Sequence, residues 1–82
     1  MLAVVKEQAG PGFAVKEVPY PVLREDDVII KVRSVGICGT DGPILAGTRE
    51  VPWPLIPGHE FAGDVVEAGA RVRNLKVGDR VT

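Results

Sequence analysis

The chain has a single cysteine, so no disulfide can form within it, and nothing in its composition calls for an oxidising compartment. No apolar run approaches the roughly 20 residues that a bilayer-spanning helix needs. No block of lysine and arginine is present either. Ten basic residues against eleven acidic ones leave a net charge of −1, which gives a nucleic-acid surface no support. Met1 leads straight into an alternating segment, without the charged and then apolar regions of a secretory signal. Repeats, heptads and low-complexity tracts are missing too. These absences imply a cytoplasmic protein with neither a nucleic-acid nor a membrane partner. What remains is an ordinary folding composition, 45% hydrophobic and 26% charged. At 82 residues the chain makes one small domain at most, with a marginal core.

The pattern reads as strand and turn. The runs Leu2 to Glu7 and Phe13 to Val18 predict two strands joined as a hairpin across the turn Ala9 to Gly12. Asp27 to Ile37 predicts the strongest strand, with Val28, Ile30 and Val32 on one buried face and Lys31 and Arg33 opposite. In the stretch from Cys38 to Gly47, Thr40 and Asp41 open at most one short helix, which Pro43 and the glycines keep short. Glu50 to Gly58 holds three prolines and reads as an extended loop. Glu60 to Gly69 predicts a strand in which Gly63 permits a bulge. Leu75 to Thr82 predicts a strand turning at Gly78 and Asp79 into another. The fold class is therefore mainly β, a partial barrel with at most one short helix. A strand beginning at Val81 and Thr82 and stopping there would leave a neighbour unpaired, so the chain is expected to be the front of a longer protein.

The only cysteine and the only histidine fall in two glycine-rich segments, Gly36 to Gly47 and Pro57 to Gly63. A thiolate and an imidazole suit zinc, and a catalytic zinc takes three protein ligands and keeps one position open. On spacing alone the alternative stands: a lone cysteine is most often a small buried hydrophobe. The neighbours favour a site. Asp41 offers a hydrogen-bond acceptor that would fix the tautomer of a zinc-bound His59. Thr40 offers a hydroxyl for proton transfer, and Glu60 sets a hard oxygen ligand beside His59.

The segment "GICGTD" followed by "PGHEFAGDVVEAGARVRNLKVGDRV" resembles the zinc-dependent medium-chain alcohol and polyol dehydrogenases. The opening "GPGFAVKEVPYP" is similar to that of threonine and sorbitol dehydrogenases. The resemblance covers essentially the whole chain. It implies that residues 1–82 are the N-terminal, GroES-like part of a catalytic domain, and that a Rossmann domain binding NAD or NADP belongs to the same larger protein. It implies Cys38, His59 and Glu60 as metal residues, with Glu60 either a ligand or just behind the zinc. It implies Thr40 as the proton relay and Asp41 as the partner of the histidine. The expected activity is oxidation of a small primary or secondary alcohol to a carbonyl, with hydride passing to the nicotinamide. The intact protein is expected to be a dimer or tetramer.

The third zinc ligand and the G-x-G-x-x-G fingerprint are not found in these residues, so the chain alone is expected to be inactive. The alternative of another class is a GroES-like binding module of co-chaperonin type, in which Cys38 and His59 are incidental. Other residues carry plainer expectations. Trp53, between two prolines, reads as a loop anchor and secondarily as a lip of the substrate cleft. Tyr20 reads as a strand-end anchor. Arg49 and Glu50 read as a solvated loop and secondarily as contacts to a polar substrate, and Arg71, Arg73, Lys76 and Arg80 as a solvated strand face. Met1 to Lys16 suggest no chemistry.

Overall fold

The runs that begin at Leu2, Phe13, Asp27 and Glu60 each become a strand, shortened by a residue or two where turn chemistry takes over. The computed structural model describes residues 1–82. It contains β1 (Leu2–Val5), β2 (Ala14–Glu17), β3 (Val28–Gly36), α1 (Asp41–Ala46), β4 (Glu60–Ala68) and β5 (Arg80–Val81). The mainly β expectation with one short helix is borne out. No helix is long and apolar enough to cross a membrane. The chain forms two compact units, Met1–Tyr20 with Ile37–His59, and Pro21–Gly36 with Glu60–Thr82.

In the first unit β1 and β2 pair antiparallel, from Leu2 opposite Glu17 to Val5 opposite Ala14, as the hairpin reading predicts. Val5 is this unit's buried hydrophobic residue. The next residue, Lys6, bridges to the proline-rich loop: its N–H donates to Leu55 O at 2.7 Å, and Leu55 N–H donates to Lys6 O at 2.9 Å. Helix α1 has six residues. Pro43 falls in its first turn, where a missing N–H leaves no helical bond unmade. Thr40 occupies the N-cap position, but its side chain makes no capping bond. At the other end Gly47 adopts φ +79°, and a Cβ there would lie 2.5 Å from the carbonyl carbon of Gly10. Only glycine meets both demands, the left-handed turn and the contact between backbones.

In the second unit the strands lie antiparallel in the order β3-β4-β5. The β3–β4 register runs from Gly36 opposite Glu60 to Val28 opposite Ala68, with shifts between Ile29 and Ile30 and between Val32 and Ser34. Arg33 on β3 and Val66 on β4 are the residues left without a partner in the ladder, so one shift undoes the other. Gly63 sits opposite Val32, and a Cβ on it would come 2.3 Å from Lys31 O. The bulged residue is thus Arg33, and Gly63 admits the close approach of the facing backbone. Asp64 accepts a hydrogen bond from Arg33 Nε at 3.0 Å and lies 3.9 Å from Arg80 Nε.

Two expectations need correction here. The buried residue of β3 is Ile29, while Val32, expected inside, is 54% exposed. The register shift beside Ile29 breaks the two-residue period on which that expectation rested. Leu75 and Lys76 form no strand. Instead Asp79 Oδ2 accepts the Lys76 N–H at 3.0 Å and closes a turn. The turn hangs on β4, with Val65 N–H donating to Asp79 O and Gly78 N–H to Val65 O, each at 2.9 Å. The Lys76 N–H holds the Asp79 carboxyl below its ordinary range. Val65, 1% exposed, and Ile29 are this unit's buried hydrophobics, which bears out the marginal core expected from length.

Candidate metal centre

Cys38 opens a tight turn that leads into α1. Asp41 N–H donates to Cys38 O at 2.9 Å, and Cys38 N–H donates to Asp41 Oδ2 at 2.9 Å. This reciprocal pair locks four consecutive residues and fixes the direction in which the Cys38 side chain leaves the backbone. It occupies only one oxygen of Asp41. The other, Oδ1, is buried with no hydrogen-bond partner, and the group facing it is His59 Nδ1 at 4.0 Å.

Cys38 Sγ and a ring nitrogen of His59 lie within 4.8 Å of each other. Glu60, the first residue of β4, follows His59 directly in the chain. Donors sharing one tetrahedral zinc are roughly 3.5 Å apart, given Zn–S near 2.3 Å and Zn–N near 2.0–2.1 Å. Cys38 and His59 therefore need to move only about an ångström to share an ion. Cys38 is half-buried and the His59 side chain 57% exposed, so the pair is open to solvent on one side.

Sulfur, nitrogen and oxygen donors together fit zinc. The orphaned oxygen strengthens the fit. A buried acceptor without a donor costs about 1–3 kcal/mol, and here it faces Nδ1 of the one histidine. An imidazole that carries its proton on Nδ1 toward Asp41 has Nε2 left for a metal. Thr40, two residues after Cys38, is exposed, and its hydroxyl is not engaged at the helix N-terminus. The structure thus brings Cys38, Asp41 and His59 together and leaves Thr40 beside them in the chain.

Sequence reasoning missed one residue. Met1 to Lys16 suggested no chemistry, yet Lys6 is 2% exposed, and its Nζ donates to the carbonyls of Gly10 and Gly12. A lysine that follows an alternating strand reads as solvated. The one available signal was the glycine-rich turn four residues on, whose carbonyls have to be satisfied somewhere.

Residues 24–82 match the alcohol dehydrogenase GroES-like domain, and the chain belongs to that family. The resemblance to zinc-dependent medium-chain alcohol and polyol dehydrogenases is thereby borne out. L-Threonine 3-dehydrogenase of Streptomyces coelicolor is 46% identical over 86 aligned residues, which take in 100% of this chain and 25% of that protein. This chain thus spans about a quarter of the length of the curated relatives it matches. Among solved structures, a Sinorhizobium meliloti protein described as a zinc-binding dehydrogenase bound to NADP superposes with a TM-score of 0.90 at 43% identity, over 99% of this chain and 23% of that one. Galactitol-1-phosphate dehydrogenase of Escherichia coli superposes with a TM-score of 0.85 at 33% identity, over 98% of this chain and 23% of that one.

Proposed function

We propose that residues 1–82 are the metal-bearing, GroES-like portion of the catalytic domain of a zinc-dependent, NAD(P)-linked dehydrogenase. Its substrate class is a small primary or secondary alcohol, oxidised to a carbonyl. One observation carries the reading: Cys38 and His59 have donor atoms within 4.8 Å, and Asp41 aims a buried, unpaired oxygen at the imidazole. The family match and the dehydrogenase neighbours leave the co-chaperonin alternative without support.

In this reading Cys38, His59 and Glu60 hold the metal. Zinc bound there supplies Lewis acidity toward a substrate hydroxyl, and a nicotinamide cofactor supplies the hydride acceptor. Asp41 holds the proton at His59 Nδ1 and the turn that aims Cys38. The Thr40 hydroxyl passes the alcohol proton outward, a role open to it because it caps no helix. A Rossmann unit beyond these residues carries the dinucleotide, and the whole protein works as a cytoplasmic homo-oligomer, with no nucleic-acid or membrane partner. The near-neutral charge and the lone cysteine support that setting.

The test is zinc content per chain, measured by elemental analysis after purification without chelator, beside Cys38→Ser. Zinc present in the wild type and lost from the variant is the expected result. Zinc retained in Cys38→Ser removes Cys38 from the ligand set. With NAD⁺ and a panel of alcohols the chain alone is expected to show no turnover, because it contains no dinucleotide fingerprint.

A further inference from the structure

A second set of residues in the first unit surrounds a cavity of about 460 Å³, and none of them belongs to the metal centre. Its size falls in the ordinary range for small-molecule sites, about 300–1,000 Å³. Three charged side chains line it: Lys6, Arg49 and Glu50. Val51, Pro52 and Trp53 supply the apolar wall, and the Trp53 ring is half exposed.

The charges do not balance. Lys6 is buried, and an ammonium has three N–H donors. Two of them go to the carbonyls of Gly10 and Gly12, and no carboxylate lies within ion-pairing distance. Arg49 and Glu50 take part in no ion pair either, although both line the same space. Two cations against one carboxylate leave the cavity net positive. A buried charge without a counter-charge is costly, and burial next to a cavity makes an anionic ligand the natural relief. The apolar wall on Trp53 asks the same ligand for a flat hydrocarbon body.

We infer that this cavity is a binding site for a small organic monocarboxylate, with Lys6 and Arg49 as the counter-charges and Trp53 as the stacking wall. The site does not depend on zinc. Glu50 restrains it, lowering affinity for anions and disfavouring any with higher charge.

The test is a ¹H–¹⁵N NMR titration of the 82-residue chain with sodium benzoate, and with benzyl alcohol as the neutral molecule of similar shape. Benzoate is expected to give saturable shifts at the Trp53 indole and at the amides of Gly10, Gly47 and Val51. Arg49→Gln is expected to weaken benzoate binding by about tenfold or more, the usual effect of losing a hydrogen bond to a charged group. Glu50→Gln is expected to tighten it a few-fold. These two exposed positions keep the test valid even where Lys6→Met unfolds the loop. Benzyl alcohol binding as tightly as benzoate overturns the proposal, as does benzoate affinity that neither Arg49→Gln nor Glu50→Gln alters. Shifts that never saturate overturn it as well.

Discussion

Replacing Asp41 by asparagine separates the two jobs of that side chain. Oδ2 accepts the Cys38 N–H at 2.9 Å, and an amide oxygen in its place accepts the same bond. Oδ1, buried and 4.0 Å from His59 Nδ1, is then replaced by an NH₂ group. An NH₂ facing Nδ1 favours the tautomer in which Nδ1 accepts and Nε2 carries the proton, which blocks Nε2 as a ligand. Losing the outer partner of a metal-bound histidine weakens metal binding by about 10- to 100-fold, or about 1.4–2.8 kcal/mol. Asp41→Asn belongs at the upper end, because it reverses the hydrogen-bond preference as well as removing the charge. Asp41→Ala removes the acceptor of the Cys38 N–H as well and should additionally destabilise the metal-free fold by about 1.5–3 kcal/mol, the range for a hydrogen bond to a charged group. Competition with a chromogenic chelator reads zinc affinity, and urea denaturation of metal-free protein reads stability. The expected pattern is affinity lost with stability kept for asparagine, and both lost for alanine. Zinc affinity for Asp41→Asn equal to wild type would refute the reasoning and reduce Asp41 to a turn residue.

Two further substitutions probe the frame around the site. Gly63→Ala places a methyl 2.3 Å from Lys31 O and 2.7 Å from Ile30 Cγ2, so backbone has to move, at about 1–3 kcal/mol in urea denaturation. Gly39→Ala, with open space around its Cβ, serves as control and should stay within about 0.5 kcal/mol of wild type; a neutral Gly63→Ala would show that the sheet parts freely. Asp79→Ala removes an acceptor whose pKa the Lys76 N–H depresses. A depressed carboxylate contributes stability above its unfolded pKa, near 3.9, and loses it as pH falls through the lower folded value. The variant should therefore melt below wild type at neutral pH and converge with it in acid, and a gap that persists in strong acid contradicts the assignment.

The hairpin, β3, the short helix and β4 were legible in the sequence because each is coded locally, by alternation bounded with glycine and proline. The buried face of β3 was not. Period-two reasoning assumes an unbroken ladder, and the shift between Ile29 and Ile30 depends on which residues of β4 lie opposite. The stretch before Gly78 read as a strand because its residues alternate, whereas the Asp79 side chain competes for the Lys76 N–H and makes a turn. Lys6 was illegible for the converse reason. Its environment is made partly by the turn at Gly10 and Gly12 and partly by residues 47–53, and nothing beside it in sequence announces that the latter return.

The same distinction divides the metal centre. One half, from Cys38 to Asp41, is built by four consecutive residues whose two hydrogen bonds close on themselves. The other half is His59, at the end of a loop too rich in proline to fix itself through helix or ladder. Its tether lies four residues earlier, where Leu55 exchanges two hydrogen bonds with Lys6, and Lys6 in turn clasps the carbonyls of Gly10 and Gly12. The N-terminal hairpin, which shows no chemistry of its own, thus restrains the loop that delivers the histidine to the cysteine. The loop that ends at His59 is therefore restrained by a backbone pairing at Lys6, which neither segment contains. Reading the site from "GICGTD" and "PGHE" names its candidate ligands, but the backbone pairing that restrains the histidine's loop lies at Lys6.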